Sequence, residues 1–336
     1  MKDAQPSAAP VRDRAPDVPA PKGRLFEIDF LRCLAMVWIV CIWHLRPLPA
    51  AWLHGTFYAV MDGITQICLG AFMFSSGFCL VSGRRFDSAR GIVAFYGKRI
   101  LRIVPLLVIA ILTFPDLPSH HPHLAQLFAC LGLSSYIPTT VADRMFTVWF
   151  ASMLLSFYLI LPLLSAKRHP VAAAAFLLLF CAGTWLLGWD ERLLAMFPAF
   201  YLGILVSKAG PRRLFRLSAI CAPVAILLLV LPWHNLPRNI GLAIVGFSLF
   251  ILPGRLLARL GLLHPVFRWG AYVSFCAYLF HRHFFALYLP LLGPASSPQL
   301  RSVQHLLITF PLLFIVAFLI QKAYDMALKP FSRKTA

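Results

Sequence analysis

Acidic side chains are scarce in this chain: 12 Asp and Glu stand among 336 residues, against 31 Lys and Arg and 11 His. That scarcity leaves a paired-carboxylate hydrolase mechanism little to work with, and it moves the search for a general base to histidine. Charge of either sign is thin as well. Charged residues make up 13% of the chain and hydrophobic ones 60%, whereas a soluble domain is about one quarter charged and about half apolar. The eight cysteines (33, 41, 68, 79, 130, 181, 221 and 276) are scattered and form no C-x-x-C pair. They read as small hydrophobes within apolar segments and imply neither disulfides nor a metal. No P-loop and no G-x-G-x-x-G is found, so ATP-driven transport has no signature. Residues 1–24 are polar and rich in Pro and Ala, with no apolar core or small-residue cleavage site. They are expected to be a disordered cytoplasmic tail and not a signal peptide.

What the chain has in abundance is apolar runs of about 20 residues, and its mean hydropathy is +0.77. Runs of that length imply helical membrane spans rather than barrel strands. Ten are expected, centred on 28–45, 64–82, 101–115, 146–165, 171–187, 193–207, 217–232, 239–253, 271–291 and 303–324. A further apolar piece, 124–133, is too short to cross and is expected to be re-entrant or interfacial. The basic residues alternate along this scheme. The tail, the even-numbered loops and the C-terminal end hold 24 Lys and Arg, while the odd-numbered loops hold 5. This alternation fits the positive-inside rule with both termini cytoplasmic. The net charge of +19 is spread over six segments. It therefore reads as topology and anionic-lipid contact and gives no support to nucleic-acid binding. The expected architecture is an all-α integral membrane protein: a tail over 1–24, a ten-span bundle over 25–328 and a basic cytoplasmic tail over 329–336.

Two residues of the first span stand out. Arg32 and His44 lie inside one apolar stretch, where ionisable side chains are costly and usually face a bundle interior or a wet cavity. Asp29, one turn before Arg32, offers the cation a partner. One reading makes Asp29 and Arg32 a structural pair and His44 an interfacial residue; the other makes the three a site. The second cytoplasmic loop and its flanks place six cations, Arg84 to Arg102, within 19 residues. Arg99 and Arg102 are one turn apart and can face one point. Such clustering suits a polyphosphate such as the nucleotide end of coenzyme A, but spacing alone favours lipid-headgroup anchoring. In the ninth span His281 and His283 flank Arg282, which wants a partner or a ligand at that depth. The His120, His121 and His123 run reads as a solvated loop, because Pro122 disrupts the spacing and no thiol or carboxylate ligand follows.

With these residues in hand, the chain resembles the membrane acyltransferase 3 family over nearly all of residues 25–325. FEIDFLRCLAMVWIVCIWHL is similar to its opening D-x-x-R, apolar run and histidine. GAFMFSSGF (70–78) is similar to its G-x-x-x-F-x-x-S-G-F segment, and KRILRIVPL (98–106) to its R-x-x-R-I-x-P. TVWFASMLLSFYLILPLL (147–164), FPAFYLGIL (197–205) and VSFCAYLFH (273–281) resemble later segments.

The resemblance implies a membrane-bound acyltransferase that moves an acyl group, commonly acetyl, from acyl-coenzyme A to a hydroxyl of a carbohydrate or envelope glycan. It implies His44 as catalytic base, with Arg32 and Asp29 counted in the catalytic site and Arg32 also engaging the acyl donor. Arg99, Arg102, Arg85 and Ser76 would engage acyl-CoA, and Trp149, Tyr158, Tyr278, His281 and Arg282 would line the rest of the pocket. Acyl-CoA would be a co-substrate, with no resident cofactor or metal. The bacterial inner membrane is the expected location. Two departures from the pattern matter. The family places ten residues between the arginine and the histidine, and this chain has eleven. Eleven α-helical steps return to the same face, whereas twelve land about 120° away; a π-bulge in the first span would restore alignment. Many members also carry a glutamate where this chain has Leu154, which points to a variant branch. A proton-coupled transporter or flippase using Asp29, Arg32 and His44 as a relay is the alternative. It would favour internal repeats, and no clear self-similarity between the halves is found.

Overall fold

The computed structural model describes residues 25–45, 54–82, 86, 88–115, 121–138, 140–141, 148–166, 169–231, 235–293 and 297–332. The described residues form helices and turns, with no strand among them. In chain order the helices are α1 (Phe26–Val37), α2 (Gly55–Val81), α3 (Ala89–Leu112), α4 (Pro122–Cys130), α5 (Val148–Ser165), α6 (His169–Leu187) and α7 (Glu191–Ala209). There follow α8 (Pro211–Val230), α9 (Leu236–Val245), α10 (Ser248–Leu257), α11 (His264–Tyr288), α12 (Pro298–Gln304) and α13 (Phe310–Ser332). A π-helical segment, Trp38–His44, extends α1, and a second, His305–Thr309, joins α12 to α13.

Seven helical stretches are long and apolar enough to cross a membrane: α2, α5, α6, α7, α8, α9 with α10 as one, and α12 with α13 as one. The chain is a multi-pass membrane protein. The three other expected segments are helical too, but each falls short for a visible reason. α1 gives way to the π segment after 12 residues. α3 begins with Arg90, Lys98, Arg99 and Arg102, and α11 intersperses its apolar residues with Arg268, Arg282 and three histidines. The short apolar piece is the nine-residue α4. The last helix continues to Ser332, into the stretch read as a basic tail. Residues 1–24 lie outside the described residues.

α2 is the central helix, and glycines set how closely its neighbours approach. A Cβ on Gly77 would stand 2.1 Å from the Phe200 carbonyl oxygen of α7, and one on Gly203 of α7 would stand 2.1 Å from the Phe74 carbonyl oxygen of α2. The two backbones therefore touch reciprocally, the small-residue contact expected where lipid supplies no hydrophobic drive between helices. Gly70 of α2 meets the Ala243 backbone of α9 in the same way, and Gly270 of α11 receives the Cys33 side chain of α1. Three of the glycines in the family-like segments are thus packing positions. The outer helices α6 and α8 turn large apolar side chains outward, among them Leu178, Trp185, Leu186, Ile220 and Leu227. An apolar exterior of this kind suits acyl chains as solvent. All eight cysteines are free thiols; Cys33, Cys41, Cys68, Cys221 and Cys276 are buried, whereas Cys79 is exposed.

Candidate active site

The first helix changes pitch between its two notable residues. After Val37 the backbone is π-helical from Trp38 to His44. A π turn takes one residue more to close than an α turn. One residue is also the amount by which the Arg32–His44 spacing exceeds the family pattern. The Trp38 indole Nε1 within this segment donates to Thr65 Oγ1 of α2 at 3.1 Å.

At the Arg32 end, the guanidinium lies over the Phe72 ring of α2, 5.4 Å from its centroid. Its Nε is buried without a hydrogen-bond partner among the described residues, a state that suits a group awaiting an anionic ligand. Tyr158 of α5 is buried within electrostatic reach of Arg99, Arg32 and Arg102, and beside Ser76. Ser76 is buried, and its Oγ donates to the Phe72 carbonyl oxygen of its own helix at 2.9 Å. Arg99 sits over Phe95 at 5.7 Å. Arg102 is exposed and also influences Tyr272, which donates to the Asp325 carboxylate. Arg85 lies outside the described residues.

Asp29 is 5% exposed, one turn from Arg32 on the same helix. The neighbouring Cys33 side chain packs into the Gly270 niche of α11, and Phe72 of α2 offers the Arg32 guanidinium a ring face.

At the other end His44 stacks on His281 of α11, with centroids 4.7 Å apart and planes 5° from parallel. His281 is fully buried. Its Nδ1 is 2.7 Å from the Tyr278 carbonyl oxygen, so the neutral ring donates there and keeps its lone pair on Nε2. That Nε2 has no partner among the described residues. The neighbouring pair divides its labour. His283 faces α3, where its Nε2 lies 3.0 Å from both Ala110 O and Thr113 Oγ1, while Arg282 is half-buried between the two histidines.

A continuous aromatic wall joins the two ends. Phe72 meets Phe150 edge-on at 5.5 Å, Phe150 meets Tyr278 at 5.3 Å, and Tyr278 meets His281 at 6.1 Å. Trp149 stands next to Phe150 and carries the Arg192 guanidinium 3.8 Å above its ring. Asp190, the N-cap of α7, fixes that arginine with a 2.8 Å ion pair. Tyr136, in the loop beside it, meets Trp189 edge-on at 4.9 Å; burial raises its phenol above the usual range, with the Ser156 side chain opposing. Phe72, Phe150 and Arg192 were not singled out from the sequence. Phe72 stands inside a family-like segment, and Arg192 counted there only as a topological charge. Leu154, where many family members carry glutamate, is buried in the apolar core.

The family of the acyltransferase domain matches residues 25–321. Neither a curated protein nor a solved structure matches the chain. A match over that length, on a helical bundle whose first helix carries the expected arginine and histidine, settles the relationship: the chain belongs to the acyltransferase 3 family of membrane proteins.

Proposed function

We propose that the protein transfers an acyl group, acetyl by preference, from acyl-CoA to a hydroxyl of a carbohydrate or envelope glycan. The observation that carries this reading is the end-to-end arrangement. Arg32, Arg99 and Arg102 act electrostatically on Tyr158 at one end, the His44–His281 stack lies at the other, and an aromatic wall connects them. In the ten-span topology with both termini cytoplasmic, the arginine end faces the cytosol of a bacterial inner membrane. The guanidiniums and Arg85 hold the phosphates of the donor, and its thin pantetheine arm runs along Phe72, Phe150 and Tyr278. The twelve residues from Arg32 to His44 rise roughly 18 Å if helical, a span such an arm can cover.

At the far end His44 takes the proton from the acceptor hydroxyl as its oxygen attacks the thioester carbonyl. The carbon–sulfur bond breaks and the departing thiolate receives that proton, leaving the ester and free coenzyme A. His281 positions the His44 ring and presents Nε2 as a fixed acceptor. Asp29 takes no proton-transfer step and adds negative charge beside the arginine end. A titratable relay for transport has less support, since Phe72 and Phe150 separate Arg32 from the histidines.

The test is radiolabel transfer from acetyl-CoA in membranes holding the protein. Label should enter the glycan fraction with wild type and not with His44→Ala. Equal labelling with both would overturn the reading. Cysteine labelling of both termini should find them on the cytoplasmic side; an external C-terminus would overturn the donor orientation.

A further inference from the structure

A cavity lies at the end of the bundle away from the arginine cluster, with a volume of about 520 Å³. That is within the usual range for a small-molecule site. α2 contributes Asp62 and Gln66, the start of α7 contributes Glu191 and Arg192, and Trp189 and Asp190 come from the turn before it. Three of the chain's twelve acidic residues meet here against one guanidinium. Such a balance repels a polyphosphate, so this cavity is no part of the donor site.

Its lining is polar and firmly placed. Trp189 lies flat against Gly183, where a Cβ would fall 2.0 Å from the ring. The backbone N–H of Asp190 donates to the Ser135 carbonyl oxygen at 2.9 Å. Arg238 ties α9 to its neighbours by donating to the Leu228, Leu229 and Ala59 carbonyl oxygens. Asn239 and Thr184 also line the cavity, and Asn239 Oδ1 and Thr184 Oγ1 are buried without hydrogen-bond partners among the described residues. Buried polar atoms normally find partners, so these two mark a place for a ligand that supplies them.

Two lining residues connect the cavity to the surroundings of the histidines. Arg192 in its lining sits on Trp149 and acts electrostatically on Tyr278, the neighbour of His281. Gln66 follows Thr65, which accepts the hydrogen bond from Trp38 in the π segment that ends at His44.

We propose that this cavity binds the acyl acceptor and selects a neutral, hydroxyl-rich sugar unit. Carboxylates and side-chain amides match sugar hydroxyls in both donor and acceptor roles, Trp189 offers a flat apolar face, and the negative balance turns away anionic sugars. The inference rests on the acyl-transfer reading for what the ligand is for, not for its place.

The experiment uses the whole protein in nanodiscs, free of sugar-headed detergent. Saturation-transfer NMR measures binding of cellobiose and of glucuronate, and a separate assay measures acetyl-CoA affinity. Wild type should bind cellobiose and not glucuronate. Asn239→Ala and Gln66→Ala should each weaken cellobiose by about tenfold, the loss of a hydrogen bond or two, while acetyl-CoA affinity stays unchanged and reports an intact fold. No saturable cellobiose binding, or binding indifferent to both variants, overturns the cavity assignment even if label transfer from acetyl-CoA is intact. Variant-sensitive cellobiose binding with no transfer to any acceptor would sustain the cavity and remove the acyltransferase reading.

Discussion

His44 and His281, 237 positions apart in the sequence, lie with their rings parallel and 4.7 Å between centroids. The stack fixes the direction in which His44 can exchange a proton, because His281 is itself pinned through Nδ1 to a backbone carbonyl. His44→Ala should lower transfer by the 10²–10⁴-fold typical of a general base. His281→Phe keeps a ring under His44 but removes Nε2, and should retain measurable transfer. His281→Ala removes the ring, and should lower kcat and displace the midpoint of the pH–rate profile while leaving the acetyl-CoA KM alone. Activity of His44→Ala within about tenfold of wild type would exclude the base assignment.

Arg99, Arg102 and Arg32 all lie within electrostatic reach of Tyr158. Charge-assisted contacts to phosphate are worth about 1.5–3 kcal/mol each, so Arg99→Ala and Arg102→Ala should each raise the acetyl-CoA KM by at least about tenfold. Lysine at these positions should recover only part of the loss, because an ammonium lacks the planar fork. Were the two residues lipid anchors instead, the variants would lower membrane insertion and leave the donor KM unchanged.

The reciprocal glycine contact between α2 and α7 gives a stability prediction independent of catalysis. Gly77→Val or Gly203→Val drives a side chain into a backbone carbonyl that cannot move aside. Overpacking of this sort costs about 1–3 kcal/mol, and more where backbone must shift. The thermal midpoint of the detergent-solubilised protein should fall for both variants. Gly97→Ala, which meets nothing within 4 Å, should leave it in place.

The sequence disclosed most where physics is one-dimensional. Apolar length located the helices, and the cost of Arg32 and His44 in a span singles them out as candidates. Basic alternation oriented the scheme without measuring it. What stayed hidden depends on rotation about helix axes and on contacts across long separations. Cys33 and Arg32 are neighbours in the chain, yet Cys33 packs on Gly270 of α11 and Arg32 lies over Phe72 of α2. His281 is visible in sequence only as part of a His-Arg-His run; that it stacks on His44 while His283 turns to α3 depends on the rotation of α11 against its neighbours. Asp62 and Asn239 share a cavity across 177 positions because α9 lies on α2 at Gly70. No local pattern encodes that.

The π segment supplies the last test. In an unbroken α-helix, twelve steps would turn His44 about 120° from Arg32. The segment Trp38–His44 absorbs the surplus residue and lets both side chains border the same aromatic wall. Single-turn π-bulges recur at functional sites, and in the proposed mechanism the task of this one is to hold register between donor grip and base. Deleting Val37, the last α-helical residue before it, should convert the segment to a regular helix with eleven steps between the two residues, which returns them to one face. That variant should keep transfer within about tenfold of wild type. Inserting Ala after Val37 carries His44 further round and should abolish transfer while the protein still reaches the membrane in normal amount. Equal loss from deletion and insertion would mean that the π segment does not set this register.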